Sequence, residues 1–426
     1  MNKKELFLHI GMPKTATTTL QHFFARNRKI LQSNGVTYPL SGNQNAHHRL
    51  GWSINIQSGL NSWRMAPDLQ DYKEEWGSVL AQLKSGKNLL STESVWGFSN
   101  DQIAIVKEMT SQFHTRIVIY IRRQDTLIDS WYNELVKIGI IRKAPASNNR
   151  ILSLEPLERW TKFFGTDNII VRPYEKQQFH HGTIFSDFLH HILGIEPTDE
   201  FVLPENGKNP SLHRIALEYK RMVNFLPLSP QEKSALQQPL LTASVMLSEK
   251  GLKTYPVFSP QKRLQLYDDY SQTYETIARR YLKRKNGRLF YDDSPDLSKE
   301  WHSYDELKQD DAQITNEFLG SHYPDQLAII VKGILHAQFC QERESRLAAY
   351  KLLPGIPPAC ISQVLTAMLE TPNHTQRILP DDQLGTIYAS PIWKAGRVVN
   401  HVLQRLPKVL KKTALKIINR LCQQNR

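Results

Sequence analysis

At 426 residues, 40% hydrophobic and 22% charged, the chain has room for one large domain or several ordinary ones of roughly 100–200 residues, and its composition is neither fibrous nor disordered. No stretch approaches the ~18 consecutive apolar residues of a membrane-spanning helix, the start MNKKELFLHIGMPKT is too short in apolar residues for a signal peptide, and a cytoplasmic chain is expected. The formal charge of +13 is concentrated at one end: residues 391–426 hold nine Lys or Arg and no Asp or Glu, leaving 45 basic residues against 41 acidic ones before them.

In chain order, the apolar run Glu5–Ile10 (ELFLHI) reads as a strand, and Leu20, Phe23, Phe24, Ile30 and Leu31 follow it at helical spacing. Lys87–Thr92 (KNLLST), Arg116–Ile121 (RIVIYI) and Asn168–Val171 (NIIV) are further compact apolar runs suited to buried parallel strands. Helical patterns lie between and after them, at Leu127–Ile138 and Phe185–Leu193. This alternation predicts an α/β fold, a parallel sheet covered by helices on both faces. Beyond about Asn209 the strand signal disappears. Leu264–Leu282 reads as one long amphipathic helix and Leu327–Ala349 as another, while the Pro-rich segments at 226–230 and 353–358 mark turns. The expected organisation is an α/β domain over 1–300, a helical extension packed on it over 301–390, and a basic amphipathic tail over 391–426. Cys340, Cys360 and Cys422 are too few and too widely spaced for a disulfide framework or a Cys-type zinc site, so buried free thiols are expected.

The segment Gly11–Thr19 (GMPKTATTT) lies between the first strand and the first helix. Backbone N–H groups at such a loop converge on one spot, and the helix dipole favours an anion there. Lys14 supplies a full charge, and Thr15, Thr17 and Thr18 add hydroxyl donors suited to a tetrahedral phosphate or sulfate. The Walker A spacing fails, because Pro13 precedes Lys14 and Gly11 is three residues before it. A second motif follows the strand RIVIYI: Arg122, able to bind phosphate oxygens bidentately, with Ser130 eight residues later on the next helix. Arg123 is the neighbour most easily confused with Arg122.

These two motifs resemble those of sulfotransferases that use 3′-phosphoadenosine 5′-phosphosulfate (PAPS). The family's loop, Pro-Lys-Thr-Gly-Thr-Thr, is matched by Pro13, Lys14, Thr15, Ala16, Thr17 and Thr18, with Ala16 replacing the glycine. The resemblance, over about residues 5–300, implies a P-loop-like fold in which this loop holds the 5′-phosphosulfate and Arg122 and Ser130 hold the 3′-phosphate. VRPYEK (171–176) and KNPSLHR (208–214) match more loosely, offering Arg172, Asn209 and Ser211 as further contacts. The Arg-Lys-Gly segment of steroid and phenol sulfotransferases has no counterpart, which points to the bacterial and carbohydrate-directed branch and to a carbohydrate or other hydroxyl acceptor.

Sulfuryl transfer needs a base for the acceptor hydroxyl and cationic groups at the leaving oxygen. Glu93, after the strand KNLLST, is the preferred base and Lys14 the cation. His48 and His47 compete with Glu93. Three His-His pairs (47–48, 180–181, 190–191) suggest no metal site, since adjacent residues point in different directions and no HExxH or Cys accompanies them. The cofactor expectation is therefore PAPS as co-substrate, with no metal. A nucleotide or small-molecule kinase and an inactive membrane-associated scaffold are the alternatives. The tail fits either an anionic membrane surface on the inner face or packing on its own domain; nucleic acid is not expected, because no recognition module accompanies the charge.

Overall fold

Strand β1, Lys4–His9, is apolar on both sides because helices cover both: Phe7 is buried in one core, Leu6 and Leu8 in another. The computed structural model describes residues 4–42, 45–58, 68–143, 154–204, 211–292, 297–298, 300–303, 307–337 and 340–370. β2 (Val36–Thr37), β3 (Lys87–Ser91), β4 (Phe113–Ile121) and β5 (Ile169–Pro173) complete a five-stranded parallel sheet in the order β2-β3-β1-β4-β5. In the central register Leu8 aligns with Leu90 on one side and Ile117 on the other. The chain is thus an α/β protein, and among its described residues no strand follows β5.

Strand order fixes where a ligand can sit. β1 and β4 are neighbours, yet the chain leaves β1 towards β2 at one edge and β4 towards β5 at the other. The helix after β1, Thr17–Arg26, buries Leu20, Phe23 and Phe24 with Val118 and Tyr120 of β4 on one face. The helix after β4, Gln124–Lys137, sends Leu127 into the opposite core with Ile117, Ile119 and Ile121. The carboxyl ends of β1 and β4 are therefore the topological switch point, the place where open α/β sheets bind ligands.

The four expected strands appear within three residues of their anticipated bounds; the short β2 had too little apolar sequence to be seen. The expected long helix at 264–282 is two, Pro260–Asp269 and Ser271–Tyr281, broken at Tyr270 (φ −103°). The Ser271 hydroxyl donates to the Asp268 carbonyl, an alternative to the helical bond. Likewise 327–349 divides into Pro324–Ala337 and Arg343–Lys351.

Two compact units interleave along the chain: 1–130, 147–209 and 258–300 form one, and 131–146, 210–257 and 301–426 the other. The first unit ends at 300, and 131–146 and 210–257, assigned from sequence to the first domain, group with the C-terminal helices. Their helix Arg214–Phe225 is buried along nearly its whole length, with Glu218 paired to Arg221, so it needs those helices around it. Cys340 and Cys360 are free and half-buried instead of fully buried. Cys422 and the basic segment 391–426 lie outside the described residues, among which no helix is long and apolar enough to cross a membrane.

Candidate functional site

The loop after β1 is held to β4 by backbone pairing: the Met12 amide donates to the Tyr120 carbonyl at 3.3 Å and the Tyr120 amide to the Gly11 carbonyl at 3.0 Å. Gly11 has φ +99°, and a Cβ there would lie 3.2 Å from the Pro13 nitrogen and 3.4 Å from the Glu93 Cβ. Glycine is required on both counts. Lys14 (φ 68°) and Ala16 (φ 59°) are left-handed as well. Two left-handed residues one apart turn successive N–H groups towards a common concavity, an anion-binding geometry, at the start of the helix Thr17–Arg26.

The threonines divide the work differently from expectation. Thr15 is fully buried and its hydroxyl donates to the Met12 carbonyl at 2.6 Å, which closes the loop. The Thr17 hydroxyl donates to Glu93 Oε2 at 2.5 Å. Both hydroxyls are engaged within the protein, Thr15 on a backbone carbonyl and Thr17 on the Glu93 carboxylate; Thr18 is exposed and Pro13 half-buried.

Glu93 begins a short turn just after β3, and its carboxylate is thereby fixed against the loop that follows β1. Arg122 ends β4. Its Nη1 donates to the Lys14 carbonyl at 2.7 Å and its Nε to Thr126 Oγ1 at 3.2 Å, and the guanidinium lies 5.3 Å over the Tyr174 ring. Burial lowers its pKa, opposed by Tyr174, Asp129 and Asp125. Ser130 is half-buried one turn beyond Thr126 on the same helix face. Thr126 was not anticipated, although its i+4 spacing from Arg122 and to Ser130 signals it. Arg123 points elsewhere: it pairs with Asp125 at 2.7 Å, which also takes Arg263 at 2.8 Å.

The adjacent histidines separate in role. His47 is fully buried, accepting the Ser91 amide on Nδ1 at 3.1 Å and facing the Pro39 carbonyl with Nε2 at 3.1 Å, and burial pushes its pKa down to about 4. Both ring nitrogens are spent, so His47 is removed as a base. His48 Nδ1 reaches Thr92 Oγ1 at 3.2 Å, its ring stacks on Trp52 at 5.6 Å, and burial lowers its pKa while Glu93 opposes that shift. It remains beside the site.

Arg172 is paired bidentately with the fully buried Asp187 at 2.5 and 3.1 Å. Asn209 lies outside the described residues, and Ser211 is exposed in the other unit. The loop, Glu93 and Arg122, from the ends of three adjacent strands, meet at the switch point; this arrangement can hold an anion and present a carboxylate beside it.

No family model matches the chain, and no solved structure matches it. A protein of Archaeoglobus fulgidus described as an uncharacterized protein is similar, 28% identical over 207 residues that cover 46% of this chain and 54% of the relative. The chain thus spans about half the length of the curated relative it matches.

Proposed function

We propose that this site transfers a sulfuryl group from PAPS to a hydroxyl acceptor of carbohydrate type. The observation that carries the reading is the bond from Arg122 to the Lys14 carbonyl, which couples the two phosphate-directed motifs through one hydrogen bond of 2.7 Å. The loop amides and Lys14 bind the 5′-phosphosulfate and neutralise charge on the bridging oxygen as the sulfur–oxygen bond breaks. Arg122 and Ser130 bind the 3′-phosphate, which is what distinguishes this donor from ATP. Glu93, oriented by Thr17, takes the proton of the acceptor hydroxyl as its oxygen attacks sulfur, and the 3′,5′-bisphosphate departs. His48 is the competing base. Lys14 and backbone donors supply the charge stabilisation, so the step asks for no metal.

The test is calorimetric titration of the full chain with 3′-phosphoadenosine 5′-phosphate, with Mg-ATP as control. Micromolar binding of the bisphosphate is expected, weakened about 10–100-fold in Lys14→Ala and in Arg122→Ala, the loss of a charge-assisted contact. With a sugar acceptor, Glu93→Gln lowers kcat by about 10²–10⁴. Preference for Mg-ATP, or binding of neither nucleotide, refutes the sulfuryl-transfer reading, and near-normal turnover in Glu93→Gln moves the base to His48.

A further inference from the structure

The densest group of metal-ligating side chains among the described residues lies apart from the residues of the loop site, in the segment 180–196. His180 and His181 belong to the tight turn His180–Gly182, and His190 and His191 to the last turn of the helical stretch that runs from Ile184 to Leu193. Contrary to the expectation that adjacent histidines point apart, the His180 and His181 rings stack, and the chain reverses between the two pairs. The left-handed His181 (φ 49°) makes the first bend. The helix then widens over Phe188–Leu193 into an i→i+5 turn and ends at left-handed Gly194 (φ 64°). Such widened turns recur at functional sites.

The result is a cluster across elements. The His180 ring lies flat on His190, centroids 3.9 Å apart and planes 5° from parallel, with His181 at 4.0 Å from His180. His190 Nδ1 meets Glu196 Oε1 at 2.6 Å, and His180 Nδ1 meets Ser186 Oγ at 2.9 Å, which orients that ring and leaves its Nε2 as the second nitrogen. One donor atom each from His180, His190 and Glu196 lies within 4.8 Å of the others. Zinc bonds of about 2.0–2.2 Å place tetrahedral donors about 3.3 Å apart. Rotamer changes of partly exposed side chains supply that contraction.

We propose that His180, His190 and Glu196 bind one divalent zinc-class cation, with His181 or solvent completing the shell. Two imidazoles and a carboxylate suit Zn²⁺, and exclude the all-oxygen sites preferred by Mg²⁺ and Ca²⁺. The His190–Glu196 bond shows that the carboxylate already reaches the imidazole pair. The cation acts as a clip: it ties the turn at 180 to the helix end and to Glu196, around Asp187, whose buried carboxylate holds Arg172 and Tyr120. This inference does not rest on the sulfuryl-transfer reading.

The experiment is calorimetry of the chelator-stripped full chain with ZnCl₂, with MgCl₂ as control. One Zn²⁺ per chain at micromolar affinity is expected, weakened at least about tenfold in His190→Ala and unchanged in His322→Ala. Because His190 is only half-buried, the variant is expected to fold; His180→Gln gives a second reading of the same loss. Co²⁺ adds a readout independent of heat, since tetrahedral visible absorption should appear in the parent chain and vanish in both variants. No Zn²⁺ binding, or equal binding by the parent chain and both variants, overturns the proposal, as does Mg²⁺ binding of equal strength.

Discussion

At Ala16 the backbone takes a left-handed conformation (φ 59°, ψ 27°) that an L-residue adopts at a cost of about 1 kcal/mol. A glycine at this position would adopt that conformation without the Cβ strain. Ala16→Gly is expected to stabilise the protein by about 1 kcal/mol, less what the freer unfolded chain takes back, read as a rise in Tm of about 2 °C. A fall in Tm would mean that the loop is not left-handed at this position. Two adjacent arginines show what a residue alone conceals. Arg122 and Arg123 look alike in sequence, but in the turn after β4 one reaches the Lys14 carbonyl and the other Asp125.

Among the elements, the link between β4, β5 and the helix after it depends on a single buried carboxylate. Asp187 has no exposed surface; Tyr120 of β4 donates to its Oδ2 at 2.8 Å, and Arg172 of β5 supplies the compensating charge. Removing that charge leaves a carboxylate uncompensated in a low-dielectric interior. Arg172→Ala is therefore expected to cost about 3–5 kcal/mol in a urea titration, whereas Arg122→Ala strands no buried ion partner and should cost far less. Equal losses for both would show that Asp187 is relieved by other means. Elements with strong periodicity were legible: four strands and the helix after β4 lie where apolar spacing put them, because both faces of the sheet are covered. Breaks were not legible. Tyr270 interrupts a helix whose apolar spacing continues across it, and the break is accompanied by a local bond from the Ser271 hydroxyl to the Asp268 carbonyl that spacing does not report.

For the whole molecule, acid stability is set by histidines buried neutral. Burial lowers His9 to about 3 and His47 to about 4, against an ordinary value near 6.5. Below pH 6.5 the unfolded chain takes up protons that the folded chain refuses, so stability is complete above that pH. It falls as pH drops, by about 1.4 kcal/mol per unit for each histidine, until the folded-state value is reached. Urea midpoints measured from pH 7 to 5 should show this decline, and His47→Gln, which can still accept from Ser91 and donate to Pro39, should reduce its slope by about half, leaving the His9 contribution. An unchanged slope would place the proton uptake elsewhere. The sequence by itself determined the α/β class and the strand–loop–helix order that carries Lys14, since each is a local pattern whose period or spacing survives in the linear chain. Only the tertiary structure decided that Thr15 and Thr17 serve the loop and Glu93, that His47 is spent, that segments 131–146 and 210–257 group with the C-terminal helices, and that two distant histidine pairs stack. Those outcomes depend on which strand ends and chain reversals meet in space, and residues far apart in sequence carry no local signal of their contact.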